Sequence, residues 1–81
     1  MVQVGLPASM RSAVGGRSAV DVEAANIKQM LARLETDYPK LIPHLARGVS
    51  VTINGTLFRD AWLEPIPPGA EVYLLPRMAG G

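Results

Sequence analysis

The last two residues, Gly80-Gly81, are the part of the sequence best suited to chemistry of its own. Glycine has no Cβ, so a Gly-Gly end can pass through a narrow channel in a partner and adopt backbone angles closed to other residues. Such an end also leaves its carboxylate open to chemical attack. We therefore predict that Gly80 and Gly81 form the reactive part of the chain.

Few other residues suggest a chemical site. The chain has no cysteine, which excludes a disulfide framework and a thiol nucleophile, and it has one histidine, His44. No cysteine accompanies His44, so we interpret it as a loop or surface residue and predict no metal site. Gly15-Gly16 lacks the spacing of a phosphate-binding loop and predicts a turn. Trp62 lies among prolines and either contacts a partner or covers the edge of the core.

Composition limits the chain to one small domain with one core, because 81 residues with 48% hydrophobic content leave no room for a second. The net charge of +1 and the lack of basic blocks give no case for binding nucleic acid or an acidic membrane. The first residues lack the features of a signal peptide, and no run reaches membrane-spanning length. The absence of cysteine fits a reducing compartment. We expect a cytoplasmic protein.

Alternation and helical periodicity predict the elements of the first half. Residues 2–6 and 18–22 alternate as strands and are expected to pair as a hairpin, with 7–16 as a long loop between them. A helix is predicted over 27–37, with Asn26 as N-cap and Pro39 ending it. The residues on its predicted apolar stripe are Ile27, Leu31, Leu34 and Tyr38, and Met30 lies beside the stripe.

The second half predicts an irregular crossing with a short helical turn over 40–48, followed by a hairpin. Residues 49–54 alternate and lead into Asn54-Gly55, the preferred dipeptide of a type I′ turn. Residues 61–68 are rich in proline and predict a loop, and 71–75 predict a last strand. This order predicts an α+β domain of the β-grasp (ubiquitin-like) type, a mixed sheet of about five strands packed on one main helix. We assign 1–75 to this domain and 76–81 to a flexible tail.

Four segments carry a family resemblance: 26–31 (NIKQML), 51–55 (VTING), 68–72 (PGAEV) and 75–81 (LPRMAGG). Together they resemble the ubiquitin-like sulfur-carrier family. Within it the chain is most similar to the small subunit of molybdopterin synthase. The resemblance covers the whole chain in element order, and its specific motif is the tail.

The resemblance implies a mechanism. An activating enzyme of the ubiquitin-activating type would use ATP to adenylate Gly81, and sulfur from a donor protein would convert it to a thiocarboxylate. The molybdopterin synthase large subunit would then take that sulfur for a pterin precursor. The chain would be a co-substrate that binds no cofactor itself. Alternatives are a sulfur carrier for thiamin or cysteine biosynthesis and a protein modifier conjugated through Gly81. Thiamin carriers tend to be shorter, so the length of this chain favours the carrier for molybdopterin synthesis.

Strand parity predicts a partner-binding surface. If Val51 pairs with Phe58 and faces the helix, Leu57 faces solvent, and the alternation of the last strand places Tyr73 and Leu75 outward. Leu57 and Leu75 match apolar contact positions in the family, although single exposed leucines are ordinary. The predicted partner-binding residues, including those of the tail, are Leu57, Leu75, Arg77, Met78 and Ala79.

Overall fold

Five strands and three α-helices make up residues 1–76, the part of the chain that the computed structural model describes. The strands are β1 (Val2–Gly5), β2 (Ala19–Val22), β3 (Val49–Ile53), β4 (Thr56–Phe58) and β5 (Glu71–Pro76). The helices are α1 (Ala8–Arg11), α2 (Ile27–Asp37) and α3 (Ile42–Ala46), with 3-10 turns at Ser12–Val14 and Pro39–Leu41. Within residues 1–76, no helix is long and apolar enough to cross a membrane.

The strands form one mixed sheet in the order β2-β1-β5-β3-β4. The pairing of β1 with β2 is antiparallel, as the sequence predicts, and so are the pairings of β3 with β4 and β5. In the centre, β1 and β5 pair in parallel, so the first and last strands lie side by side. Helix α2 contributes Ile27, Met30 and Leu34 to the core on one face of the sheet, and this arrangement confirms the predicted α+β β-grasp fold. We call the opposite face of the sheet the outer face.

Helix α2 begins and ends where the sequence predicts. The side-chain oxygen of Asn26 accepts a hydrogen bond from the backbone N–H of Gln29 at 2.8 Å, and the Gln29 side chain accepts one from the N–H of Ala25 at 2.9 Å. The first bond satisfies a donor of the first turn that would otherwise be unpaired, and the second joins the residue before the N-cap to the helix.

The apolar stripe of α2 is centred differently from the prediction. Ile27, Met30 and Leu34 are buried, whereas Leu31 and Tyr38 are only partly buried. The spacing of the buried residues places Met30 and Leu34 at the middle of the face that meets the sheet. Leu31 then lies at the flank, because successive residues are rotated by about 100° around a helix.

The predicted turn between β3 and β4 is confirmed. Asn54 and Gly55 have positive φ values of 49° and 85°, the backbone signature of a type I′ turn. Asn54 also joins this turn to β5: its N–H donates to the Glu71 carbonyl at 2.8 Å, and its side-chain oxygen accepts from the Glu71 N–H at 3.0 Å. The hairpin is therefore anchored to the strand that leads to the C-terminal segment.

The prediction of a long loop over 7–16 is wrong. The segment forms α1 and a 3-10 turn, which bury Met10 and Val14 in the core. Two apolar residues four positions apart are enough to pack one turn, but too few to show a helical period in the sequence. The Nε of Arg11 donates to the Leu6 carbonyl at 3.2 Å and ties this segment to the end of β1. Over 40–48 the predicted helical turn is present as α3.

The proline-rich loop 61–66 caps α2 through its backbone. The N–H groups of Lys28 and Ile27 donate to the carbonyls of Trp62 and Glu64 at 2.8 and 3.1 Å. The Trp62 side chain is 48% exposed and is not part of the buried core cluster, so both interpretations of Trp62 stay open.

Candidate functional site

Three large side chains stand exposed on the outer face of the sheet. Leu57 on β4 is 47% exposed, and Tyr73 and Leu75 on β5 are 53% and 42% exposed. Their neighbours in sequence point the other way, since Val72 and Leu74 are each 1% exposed. The strand parity predicted for Leu57, Tyr73 and Leu75 is therefore confirmed.

Strand register places these side chains around β3. Thr52 pairs with Leu57 on one side and with Tyr73 on the other, and Ser50 pairs with Leu75. Leu57 and Leu75 are thus two strands and two residues apart, a diagonal of about 12 Å from ordinary sheet spacings. We define the outer patch as Thr52, Leu57, Tyr73 and Leu75.

The outer patch carries no ionisable group of the carboxylate, ammonium or guanidinium type. Two ion pairs lie elsewhere in the described part of the chain. Arg33 pairs with Asp37 at 3.5 Å within α2. The N-terminal amino group pairs with Glu23 at 3.9 Å. Within residues 1–76, no group of His, Cys, Asp or Glu side chains is placed to hold a metal ion. An uncharged, half-buried apolar surface loses little hydration when a partner covers it, so the chemistry of the patch suits docking.

Sequence reasoning identified Leu57 and Leu75, and the structure brings both to one face. Arg77, Met78, Ala79, Gly80 and Gly81 lie outside the described residues, and their roles stay predictions. Strand β5 joins the two parts of the proposed site, because it presents Leu75 on the outer face and ends at Pro76, directly before this segment.

Gly5 is the residue of this face that sequence reasoning missed. It lies at an outward position of β1, opposite Tyr73, and is buried nonetheless. The available signal was a glycine inside an alternating strand, which often marks a close approach of another group.

The comparisons with known proteins fit this geometry. A family model described as the ThiS family matches residues 4–81. The chain belongs to the ThiS family. As a ThiS-family protein it is a ubiquitin-like sulfur carrier, and the matched range includes Gly80 and Gly81.

Solved structures share the fold of this ThiS-family chain over 96% or more of its length. A chain in the BexX/CysO complex of Amycolatopsis orientalis has 21% sequence identity and a TM-score of 0.83, with 100% of both chains covered. CysO of Mycobacterium tuberculosis, described as an antigen, has 20% identity and a TM-score of 0.80, with 96% of this chain and 100% of that chain covered. SAMP1 from Haloferax volcanii has 25% identity and a TM-score of 0.70, with 99% and 98% covered. No curated protein matches by sequence.

Proposed function

We propose that this ThiS-family protein carries sulfur as a thiocarboxylate on Gly81 and donates it in molybdopterin biosynthesis. The observation that carries the sulfur-carrier role is the extent of the family match, which runs through the fold and includes Gly81. The molybdopterin acceptor rests on the resemblance of the sequence to the small subunit of molybdopterin synthase. The architecture supports it, because β5 connects an exposed apolar patch directly to the segment that ends in Gly80-Gly81.

The chemistry begins with a carboxylate that is anionic at neutral pH and therefore a poor electrophile. A partner enzyme transfers AMP from ATP to the Gly81 carboxylate, which releases pyrophosphate and leaves a reactive acyl-adenylate. Hydrosulfide released by a donor protein attacks the acyl carbon, the C–O bond to AMP breaks, and the products are the Gly81 thiocarboxylate and AMP. In this proposal the chain is the substrate of each step, and the partner enzymes supply the catalytic groups.

The outer patch is the proposed docking surface for these enzymes, with Leu57 and Leu75 as its apolar contacts. Residues 77–81 fully extended reach about 17 Å. An enzyme that holds Gly81 in a buried site therefore lies close to the end of β5. The patch flanks that end, so docking there would position the segment containing Arg77, Met78 and Ala79 for entry into the enzyme.

A second candidate is a sulfur carrier for a different acceptor, with cysteine and thiamin biosynthesis as the alternatives. The cysteine alternative is favoured by the match to structures that contain CysO, which cover 100% and 96% of the chain. The activated Gly81 intermediate is common to both candidates and also to a protein modifier, so the acceptor must be tested separately from the activation.

Intact-mass spectrometry tests the proposal. After incubation with the adenylating enzyme of the same organism, ATP and a sulfur donor, the protein is expected to gain one sulfur in place of one oxygen. The variant lacking Gly81 is the control: it should not be converted, and its thermal unfolding should match the parent because the hydrophobic core is built from residues 2–74.

Adding the molybdopterin synthase large subunit and a pterin precursor then tests the acceptor, with loss of the thiocarboxylate mass as the expected result. A thiocarboxylate that persists there but is consumed by a cysteine-forming or thiamin-forming system would replace the molybdopterin assignment with the second candidate. Lysine conjugates without any thiocarboxylate would contradict the carrier role altogether.

A further inference from the structure

Gly5 and Tyr73 are in direct contact on the outer face. A Cβ built on Gly5 would lie 2.3 Å from Cδ1 and 2.4 Å from Cε1 of the Tyr73 ring, far inside van der Waals contact. The ring therefore occupies the space that any other side chain at position 5 would need. This contact explains why Gly5 is buried although it lies at an outward position of β1.

The backbone of Gly5 does not itself require glycine. Gly5 is not among the residues with positive φ, and it lies in a regular strand paired with both β2 and β5. Glycine in a strand interior has a conformational cost relative to other residues. The room that it gives the Tyr73 ring is the structural feature that offsets this cost.

Tyr73 occupies the middle of the outer face. It lies on the central strand β5, opposite Gly5 on one side and opposite Thr52 on the other, in the row that continues to Leu57. More than half of it remains exposed, at 53%. A ring that rests on a glycine backbone in one orientation has lost part of its freedom before any partner binds.

We infer that Tyr73 is the aromatic anchor by which the outer patch binds the adenylating enzyme, and that Gly5 positions it. The inference rests on the proposed function. The adenylating enzyme is the occupant because activation of Gly81 precedes every candidate outcome. Residues 77–81, which separate Pro76 from the reacting carboxylate, span at most about 18 Å, so the enzyme that holds Gly81 lies beside β5. An apolar surface of that enzyme would cover the ring.

The energetic reason is preorganisation. Tyrosine is enriched among interface residues that dominate affinity, since it offers a large contact area with few rotatable bonds. Holding the ring against Gly5 reduces the rotamer entropy lost on docking. Gly5 touches no partner in this arrangement and acts only through the position of Tyr73.

The test is a double-mutant cycle in the full chain, with the dissociation constant for the adenylating enzyme and steady-state adenylation kinetics as readouts. Tyr73→Ala is expected to weaken binding about 30-fold, the scale of an interface anchor. Gly5→Ala should have an effect within about threefold of that value, because its methyl group displaces the ring. In the Tyr73→Ala background, Gly5→Ala should change affinity by less than about twofold, since no ring remains to be displaced.

Two further readouts separate positioning from structural damage. The single variants should raise KM for the carrier and leave kcat unchanged, because Gly81 itself is unaltered. Their thermal unfolding should stay close to the parent, since the displaced ring can move into solvent. Leu63→Ala is the matched control, because it removes another large exposed side chain, 76% exposed, from the loop 61–66 that caps α2, and it should bind normally.

Independent effects of Gly5→Ala and Tyr73→Ala would overturn the positioning role, and normal binding by Tyr73→Ala would overturn the anchor. In that second case, continued conversion of Gly81 would leave the proposed function standing. A parent chain that the adenylating enzyme does not convert would refute the proposed function, and this inference with it. Loss of binding by Leu63→Ala as large as that by Tyr73→Ala would also overturn the assignment of the anchor to position 73.

Discussion

Replacing Leu57 with glutamate is expected to weaken partner docking strongly while leaving the fold intact. Leu57 is 47% exposed on the edge strand β4, so a glutamate there can keep its carboxylate in water. Surface substitutions of this kind change the free energy of unfolding by about 0.5 kcal/mol or less. For a domain of this size that corresponds to a shift in Tm of no more than about 4 °C.

The docked state responds differently. Full burial of a leucine is worth about 1.5–3 kcal/mol, so covering the exposed half of Leu57 contributes about 1 kcal/mol that the variant loses. A carboxylate trapped in the interface without a partner adds about 3 kcal/mol. The sum predicts a loss of affinity of at least about 100-fold.

Calorimetry or surface plasmon resonance with the adenylating enzyme measures the affinity, and circular dichroism follows unfolding. Thr56→Glu is the matched control, because it adds the same charge to β4 at an exposed position whose side chain alternates away from the outer face. It should bind and unfold like the parent. A Leu57→Glu variant that binds within about threefold of the parent would refute the docking surface, and one that unfolds at a much lower temperature would refute the assignment of the strand faces.

Two further predictions concern stability. Leu34→Ala is expected to lower the free energy of unfolding by about 3–5 kcal/mol, because Leu34 is completely buried. Leu31→Ala should lower it by about half as much, because Leu31 is only partly buried. Denaturant titration measures both, and equal losses would contradict the observed centre of the α2 stripe. Asn54→Gly keeps a residue that tolerates positive φ but removes the side-chain hydrogen bond to Glu71, so it should lower the free energy of unfolding by about 1 kcal/mol. Asn54→Ala should lower it further, because alanine does not tolerate the φ of 49°. Thermal unfolding measures both, and the reverse order would show that this φ is not a constraint.

The sequence predicted the features that depend on residues close together in the chain. The bounds of α2 followed from Asn26, Gln29 and Pro39, because capping and helix termination are local effects. Asn54-Gly55 predicted its turn for the same reason, and the turn then determined which side chains of β4 face outward.

Features that depend on distant parts of the chain were missed. Helix α1 is too short to show a helical period of apolar residues in the sequence, and burial of Met10 in the core stabilises it. The contact between Gly5 and Tyr73 follows from the parallel pairing of β1 with β5, which no local pattern encodes. The proposed site divides in the same way: parity predicted the exposure of Leu57 and Leu75, while the preorganised aromatic ring required the structure.

The central place of β5 has a consequence for how the protein is made. Until β5 has been synthesised, β2 and β1 form one ribbon and β3 and β4 another, with no strand to join them. The parallel contact of β1 with β5 closes almost the full length of the chain, a pairing that is slow to form for entropic reasons. The facing edges of β1 and β3 therefore stay unpaired until β5 has joined them. Pairing of β5 completes the sheet and places Tyr73 and Leu75 in the outer patch. An incompletely folded chain therefore lacks a finished outer patch next to the strand that leads to Gly81.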